Sequence, residues 1–428
     1  DTSKNEPIMN YLLSLNQIQL DAKDEKGRTI LHYACEKESL DLIKTLTKHP
    51  ELDVTATDSE GMNILHISCK SVKDINIIRF IVSLNKINLN DKTNDGNTAL
   101  LYLCDNEDST GNYTQIVKYF SSLKDVDLRV TNEEGQNVIH ILCQNGNLQL
   151  VKHFVSFDKI DLNAKDEKGR NPLHIASEYG NLELVEFLVS FDKIDLTEVD
   201  NEGKTIMHHA CSNREHGFSI CKYLISLNKI DLVSKDEEQK TVLFYACESG
   251  NFNLFRLLQK SHEFDYDDQD IEGKTILHYA CGTDNFDLVQ SIISLGAITT
   301  IKDKEGSTIL HIACEQGNFD IVSFLISRGE ININEKNDSG KTPYVCALSS
   351  GEKRLIRYLE DLPGIDVTKP EESSNSDDDN NESSISTNKK EEEEETSKIY
   401  ENKMNDKHLK DNKTQFEYGK KLFKKALK

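Results

Sequence analysis

The sequence predicts an all-α solenoid, in which short pairs of helices stack one behind another along most of the chain. One observation is a heptad, Thr29 to Cys35, that returns almost unchanged as Thr275 to Cys281 and Thr308 to Cys314. A second is a turn that precedes each copy, at intervals of 33 to 39 residues. A unit that recurs in this way cannot bury its apolar face alone, so neighbouring units must stack. Looser copies of the heptad begin at Asn63, Thr98, Asn137, Asn171, Thr205, Thr241 and Thr342.

The first element of each unit is a tight turn that ends in glycine. Asp or Asn before Gly favours such a turn, because glycine reaches positive φ without a Cβ clash. Gln239 stands where a tenth glycine is due, so we expect either a different turn there or backbone strain of roughly 1 kcal/mol. The turn glycines are Gly27, Gly61, Gly96, Gly135, Gly169, Gly203, Gly273, Gly306 and Gly340.

Two helices follow each turn. Thr or Asn stands two residues after the turn position in every copy, and both are good N-caps. Pro172 and Pro343 come directly after two of these caps, where the first turn of a helix tolerates proline. The second helix is predicted from stretches such as residues 181–189, whose apolar residues recur at helical spacing on one face.

Turn, helix, break, helix and extended return, headed by Thr-x-Leu-His-x-Ala, resemble the ankyrin repeat. The resemblance covers about residues 6 to 369, as about ten repeats after a half repeat at residues 6–20. It implies helix–turn–helix pairs joined by β-turn or hairpin loops. Residues 171–174, Asn-Pro-Leu-His, are similar to the family signature Thr-Pro-Leu-His. Because the first unit is a half repeat, we expect the natural protein to extend further toward its N-terminus.

The histidines and cysteines occupy columns of the repeat, which accounts for them without chemistry. Leu101, Phe244 and Val345 interrupt the histidine column, so we expect altered hydrogen bonding between repeats there. Stacked cysteines lie about 10 Å apart in helix-pair spacing, too far for a disulfide, and should act as buried apolar packing in a reducing, cytoplasmic setting. The histidine column is His32, His66, His140, His174, His208, His278 and His311, and the cysteine column is Cys35, Cys69, Cys104, Cys143, Cys211, Cys247, Cys281 and Cys314.

No catalytic motif, phosphate loop or zinc-protease motif occurs, so we predict a protein that is not an enzyme and needs no cofactor. His209, His216 and Cys221 are additional to the repeat columns and could hold zinc, but the paired ligand spacing of structural zinc sites is missing. An acidic insertion at residues 105–112 lacks the closing glutamate of a calcium loop, and a plain surface insertion is the preferred interpretation.

Composition divides the chain into three regions: the solenoid at residues 1–370, a linker at 371–398 and a tail at 399–428. The linker is acidic and almost without apolar residues, so we predict disorder. The tail is basic, and Phe416, Phe423 and Leu427 could line one side of a helix that contacts a membrane surface, although a solvated terminus is the preferred interpretation. No apolar run is long enough to span a membrane.

The resemblance implies that a partner binds the concave surface formed by the turn tips and the exposed side of the first helices. Large, apolar or arginine side chains at such positions are candidate contacts, and we select Arg28, Met62, Arg170, Tyr179 and Ile271. The net charge of the chain is −23, which disfavours nucleic acid and favours a protein partner with a basic segment. We expect a monomer.

The leading functional hypothesis is a non-catalytic adaptor or scaffold that binds another protein through the concave surface. The alternative is the regulatory ankyrin region of a larger enzyme or channel, whose other domain lies upstream of residue 1. A third hypothesis, a scaffold at the membrane surface, depends on residues 413–428 forming a helix.

Overall fold

The computed structural model describes residues 21–71, 74–105, 111–157, 160–191 and 193–368. In these ranges the chain forms twenty helices and no strands, arranged as ten successive pairs, so the predicted all-α solenoid is confirmed. The predicted half repeat at residues 6–20, most of the insertion at 105–112, and the linker and tail beyond residue 368 lie outside the described residues.

Each repeat consists of a first and a second helix. The first helices are α1 (Ile30–Glu36), α3 (Ile64–Lys70), α5 (Ala99–Cys104), α7 (Val138–Gln144), α9 (Pro172–Glu178), α11 (Ile206–Ser212), α13 (Val242–Glu248), α15 (Ile276–Cys281), α17 (Ile309–Glu315) and α19 (Pro343–Ser350). The second helices are α2 (Leu40–Leu46), α4 (Ile75–Ser83), α6 (Gly111–Ser121), α8 (Leu148–Val155), α10 (Leu182–Val189), α12 (Gly217–Ser226), α14 (Phe252–Ser261), α16 (Phe286–Ser294), α18 (Phe319–Ser327) and α20 (Lys353–Glu360).

The first helices begin at the predicted caps. In repeat five, Asn171 has extended backbone angles and its side chain accepts hydrogen bonds from the backbone N–H groups of Leu173 and His174, while Pro172 opens α9. The second helix is capped by Asn181, whose Oδ1 accepts from Leu184 N at 3.0 Å. Each cap satisfies backbone donors that a short helix would otherwise leave unpaired.

Asparagine caps of the second helices also join neighbouring repeats. Asn181 Nδ2 donates to Gly146 O in the preceding repeat at 3.3 Å, and Asn285 Nδ2 donates to Gly250 O at 2.9 Å. One side chain therefore caps its own helix and holds the repeat before it. Asparagine can make both contacts because its side-chain amide carries an acceptor oxygen, which caps the helix, and a donor nitrogen, which bonds to the preceding repeat.

The core is continuous from repeat to repeat. In repeat five, Leu173 and Ala176 of α9 are fully buried, as are Leu184, Val185 and Leu188 of α10. Burial of a leucine or valine side chain stabilises the fold by roughly 1.5–3 kcal/mol, and each repeat supplies several such residues to the shared core. No described helix combines the length and the apolar composition that crossing a membrane requires.

Gln239 adopts the same turn as the glycines that it replaces. Its φ is +62°, against +73° for Gly203 and +75° for Gly273. The turn is closed by Gln239 N donating to Asp236 O at 2.9 Å, as in the neighbouring repeats. Of the two expectations for this position, strained backbone in an unchanged turn is therefore the one that the structure supports.

Candidate partner-binding face

The turns project from the helices as ten hairpins, which we call fingers. In finger five, Gly169 N donates to Asp166 O at 2.9 Å and Asp166 N donates to Arg170 O at 3.0 Å. Asp166 Oδ1 accepts from the backbone N of Lys168 and of Arg170, which explains why Asp or Asn is common at this position. The fingers are residues 24–28, 58–62, 93–97, 132–136, 166–170, 200–204, 236–240, 270–274, 303–307 and 337–341.

A single backbone hydrogen bond joins each finger to the next. For example, Glu167 N donates to Glu134 O at 2.9 Å, and Asn201 N donates to Lys168 O at 2.9 Å. The same bond connects all ten fingers, with N···O distances between 2.8 and 3.1 Å. We call this series the finger ladder. The exposed residues of the fingers, together with the exposed ends of the first helices, form one surface that we call the finger face.

The histidine column lies directly beneath the fingers and links repeats. In repeat nine, Thr308 N donates to His311 Nδ1 at 3.1 Å, so Nδ1 is an acceptor and the proton of a neutral ring sits on Nε2. Nε2 then donates to the carbonyl oxygens of Glu335 and Lys341 in the next repeat, at 3.0 and 3.1 Å. Burial lowers the pKa of His311, and it lowers the pKa of His174 to about 4. These histidines are structural bridges held in the neutral form.

Phe244 breaks the histidine column in repeat seven and changes the contact between repeats, as predicted. Its ring meets the ring of Tyr279 in the next repeat edge-on, with centroids 5.9 Å apart. His174 and His208 make the same edge contact with a ring of the next repeat, at 5.5 and 5.6 Å, so Phe244 keeps the ring contact and loses the hydrogen bond. Val345 breaks the column in repeat ten, which is the last repeat of the described chain and has no following carbonyl there to bind.

All ten cysteines are buried and free of disulfides, and the prediction that the column packs as small apolar residues is confirmed. Burial raises the pKa of the Cys35 thiol to about 12, so the nucleophilic thiolate is suppressed. Cys211 and Cys221 lie closest together, with their sulfurs 3.5 Å apart between α11 and α12. That contact is a packed thiol pair within one repeat.

The three residues considered for zinc point to different partners. His209 Nε2 contacts Asp200 Oδ2 at 2.8 Å, His216 is exposed beside Glu215, and Cys221 is buried against Cys211. Among the described residues, no group of three or more His, Cys, Asp and Glu side chains is arranged to hold a metal ion.

The structure separates the five candidate contact residues into two groups. Tyr179 and Ile271 are exposed, at 47% and 49% of their full surface, and Arg28 is partly exposed. Met62 and Arg170 are buried, at 4% and 8%. The expectation that these last two residues present an open surface is therefore wrong.

Both corrections have a physical cause at the position after the turn residue. The chain folds back under the finger there, so Met62 donates its N–H to Asp58 Oδ1 and its side chain joins the buried residues. Arg170 folds back in the same way, and its guanidinium contacts Asp166 Oδ2 at 2.8 Å and Glu178 Oε2 at 2.6 Å. The positive charge of Arg170 is therefore paired with carboxylates of its own repeat.

Pairs of charges line fingers six to eight of the finger face. Lys204 contacts Glu202 at 2.6 Å, and Lys274 contacts Glu272 at 2.6 Å. The sequence interpretation missed a second feature of this surface, in which cations lie over tyrosine rings of the first helices. The sequence contained a signal for these cation–tyrosine pairs. A basic residue directly after the turn recurs together with Tyr at the fifth position of the heptad, as in Arg28 and Tyr33.

Comparison with known proteins supports one assignment. A family model described as ankyrin repeats in three copies matches residues 2–93, 107–200, 142–236, 192–270, 215–303 and 277–371. These matches cover both the described repeats and residues before and after them. No curated protein matches the chain significantly.

Proposed function

Because the chain belongs to the ankyrin repeat family, we propose that it is a non-catalytic adaptor or scaffold that binds a protein partner through its finger face. Ankyrin repeats generally mediate protein–protein interaction. The observation that carries the proposal is the finger face itself, a long surface built on a hydrogen-bonded scaffold from which exposed side chains such as Tyr179 and Ile271 project.

The chemistry of the repeats supports a binding role over a catalytic one. The histidines of the column are buried and have both ring nitrogens engaged in repeats such as nine, and the cysteines are buried with suppressed thiolates. A catalytic base or nucleophile must be able to reach a substrate, and buried bridges of this kind cannot. The column histidines and the cysteines thus have a structural explanation, which supports the proposal.

We propose further that the partner presents a basic segment. The net charge of −23 gives the protein a negative field, which attracts a basic partner and accelerates its encounter. Affinity for such a partner should fall steeply as salt is added, because surface charges are screened over about 10 Å at 0.1 M salt. An affinity that does not depend on salt would count against a basic partner.

A photo-crosslinking amino acid in the full chain tests which surface binds. We would place it at Glu134, an exposed finger residue, and as a matched control at Glu183, an exposed residue of the second helix α10. The proposal predicts specific adducts from position 134 and few from position 183. The identified partner would then be purified and its affinity measured by calorimetry. Adducts that form mainly from position 183 would place binding on the second helices and contradict the proposal.

A further inference from the structure

Four tyrosines of the first helices each lie beneath a cation of the same chain. The guanidinium of Arg28 lies 4.4 Å from the ring centroid of Tyr33, and the Lys240 ammonium lies 4.8 Å from that of Tyr279. A positive charge within about 6 Å of an aromatic face is attracted by the ring quadrupole. The remaining pairs are Lys70 over Tyr102 at 5.4 Å, and Lys204 and Lys240 over Tyr245 at 5.7 and 5.9 Å.

Tyr179 lies four residues further along its repeat than these tyrosines and has no such cation among the described residues. It follows α9 directly, and its side chain is more exposed than that of Tyr33, which is 39% exposed. No lysine or arginine of the described chain lies over its ring within that distance. Arg170, the nearest candidate by position in the repeat, is held by Asp166 and Glu178. The ring of Tyr179 is therefore exposed and, within the part of the chain that the structure describes, has no cation over it, unlike the rings of the four tyrosines above.

The charges around Tyr179 favour a cation. Partial burial, then the carboxylate of Glu178, raise the pKa of the Tyr179 hydroxyl, with a further contribution from Glu134 on the preceding finger. Arg170 acts in the opposite direction, but its charge is shared by two carboxylates. An anionic group such as a phosphate would meet these carboxylates and be repelled, whereas an ammonium or guanidinium would be attracted.

We propose that Tyr179 seats a lysine or arginine side chain of the protein partner, with Glu134 and Glu178 as flanking carboxylates. The inference rests on the proposed function, and it narrows the partner's chemistry to a cation placed at repeat five. The partner's side chain completes at Tyr179 the arrangement that Arg28 completes at Tyr33. Selectivity comes from the ring face, which attracts a cation, and from the carboxylates of Asp166, Glu178 and Glu134, whose combined negative charge exceeds the single positive charge of Arg170.

The test uses the full chain and synthetic peptides in place of the unidentified partner. Six-residue peptides that alternate Gly with Lys, Gly with Arg or Gly with Gln would be titrated into protein labelled with 3-fluorotyrosine. The signal of Tyr179 is assigned by its loss in Tyr179→Phe. We expect the Lys and Arg peptides to shift this signal in a saturable way, and the Gln peptide to leave it unchanged.

Substitutions then separate the ring from its hydroxyl. Variants of Tyr179 lack its signal, so their affinities are measured by calorimetry. Tyr179→Phe keeps the aromatic face and should bind the Lys and Arg peptides nearly as well as the parent, whereas Tyr179→Leu should bind them about two- to fivefold more weakly. Ile271→Ala removes an equally exposed side chain three fingers away and should have no effect. A Tyr179 signal that does not move, that the Gln peptide moves equally, or binding that survives Tyr179→Leu unchanged would overturn the inference.

The same variants distinguish this inference from the proposed function. A partner that crosslinks at position 134 but binds Tyr179→Leu as tightly as the parent would leave the finger face as the binding surface and remove Tyr179 as the cation seat. Crosslinks confined to position 183 would instead remove the finger face itself.

Discussion

Repeats five and ten share the features that form the turn and begin the first helix, and they differ in features that join repeats. Both have a turn glycine with positive φ, an N-cap two residues later and a proline that opens the first helix. Repeat five then has His174, which bonds to the next repeat, whereas repeat ten has Val345. The comparison indicates which positions of the motif serve the helix pair and which serve the stack.

The glycines make the same distinction. A Cβ on Gly169 would lie 2.8 Å from the backbone N of Asn201 in the next finger, whereas a Cβ on Gly340 would meet nothing within 4 Å. Both residues have positive φ, at +76° and +74°. Glycine is therefore required twice at repeat five, for its own turn and for the approach of its neighbour, but only once at repeat ten.

Converting repeat five to the pattern of repeat ten should have the largest effect. His174→Val removes the acceptor for Asn171 N and the donor to Glu198 O, which lie at 3.3 and 3.2 Å from the ring nitrogens. Each buried group left unpaired costs about 1–3 kcal/mol, so we expect a loss of about 3–4 kcal/mol in the free energy of unfolding, measured in urea. The reciprocal Val345→His should bring no comparable gain, and an equal effect of the two substitutions would contradict the distinction.

Alanine substitutions at the two turn glycines should separate the cost of the left-handed turn from the cost of contact with the next finger. We expect Gly340→Ala to cost about 1 kcal/mol, because only the left-handed backbone disfavours a side chain there. Gly169→Ala should cost about 2 kcal/mol, since its Cβ also forces the Asn201 backbone to move. The measurement is urea unfolding of both variants, with hydrogen exchange of the Asn201 amide to report the finger ladder. Equal losses of unfolding free energy in the two variants would mean that fingers five and six can move apart to accommodate the added Cβ.

Acidification should weaken repeat five through His174. Burial lowers the pKa of His174 to about 4 in the folded state, against about 6.5 in an unfolded chain. Between these values the unfolded chain binds a proton that the folded protein does not, so stability falls as the pH falls from 6.5 to 4. The expected slope for this one histidine is about 1.4 kcal/mol per pH unit. Its contribution to the slope should vanish in His174→Val, as measured by urea unfolding across this pH range.

The smallest expected effect is a gain at the cap. Asn171 Oδ1 lies 2.8 Å from His174 Nδ1, and Asn171 Nδ2 is buried without a hydrogen-bond partner in the described structure. Asn171→Thr, the residue that caps repeat ten, would supply a hydroxyl donor to Nδ1 and remove the unpaired amide. We expect a stabilisation of about 1 kcal/mol, read from thermal or urea unfolding. No gain would indicate that the asparagine amide finds water.

Much of the fold was predictable because its signals are local. A glycine turn, a cap two residues later and an apolar helix face are each fixed within about ten residues, and Gln239 shows that the turn persists even where the glycine is absent. The contacts between repeats were only partly predictable. Phe244 signalled the loss of a hydrogen bond between repeats, but the edge contact that it keeps with Tyr279 depends on a residue 35 positions away.

The candidate site was harder to predict, since exposure depends on where a side chain turns after the finger. Met62, Arg170 and Arg28 all follow turn glycines, and both arginines pair with the Asp of the turn and a Glu of the first helix, yet Met62 and Arg170 are buried and Arg28 is partly exposed. Tyr179 and Ile271 were found at exposed positions because they lie at the end of a helix and at a finger tip, where little covers a side chain.

The finger ladder also sets a regular spacing along the finger face. Its one bond per repeat fixes the spacing of successive finger tips near the ~10 Å that separates packed helices. A peptide in the polyproline II conformation advances ~3.1 Å per residue with three residues per turn, so every third side chain lies on the same side and would meet a new finger. The contact residues of such a partner would have to recur every three residues in its sequence. A single residue inserted into the partner would move all contact residues beyond the insertion away from their fingers.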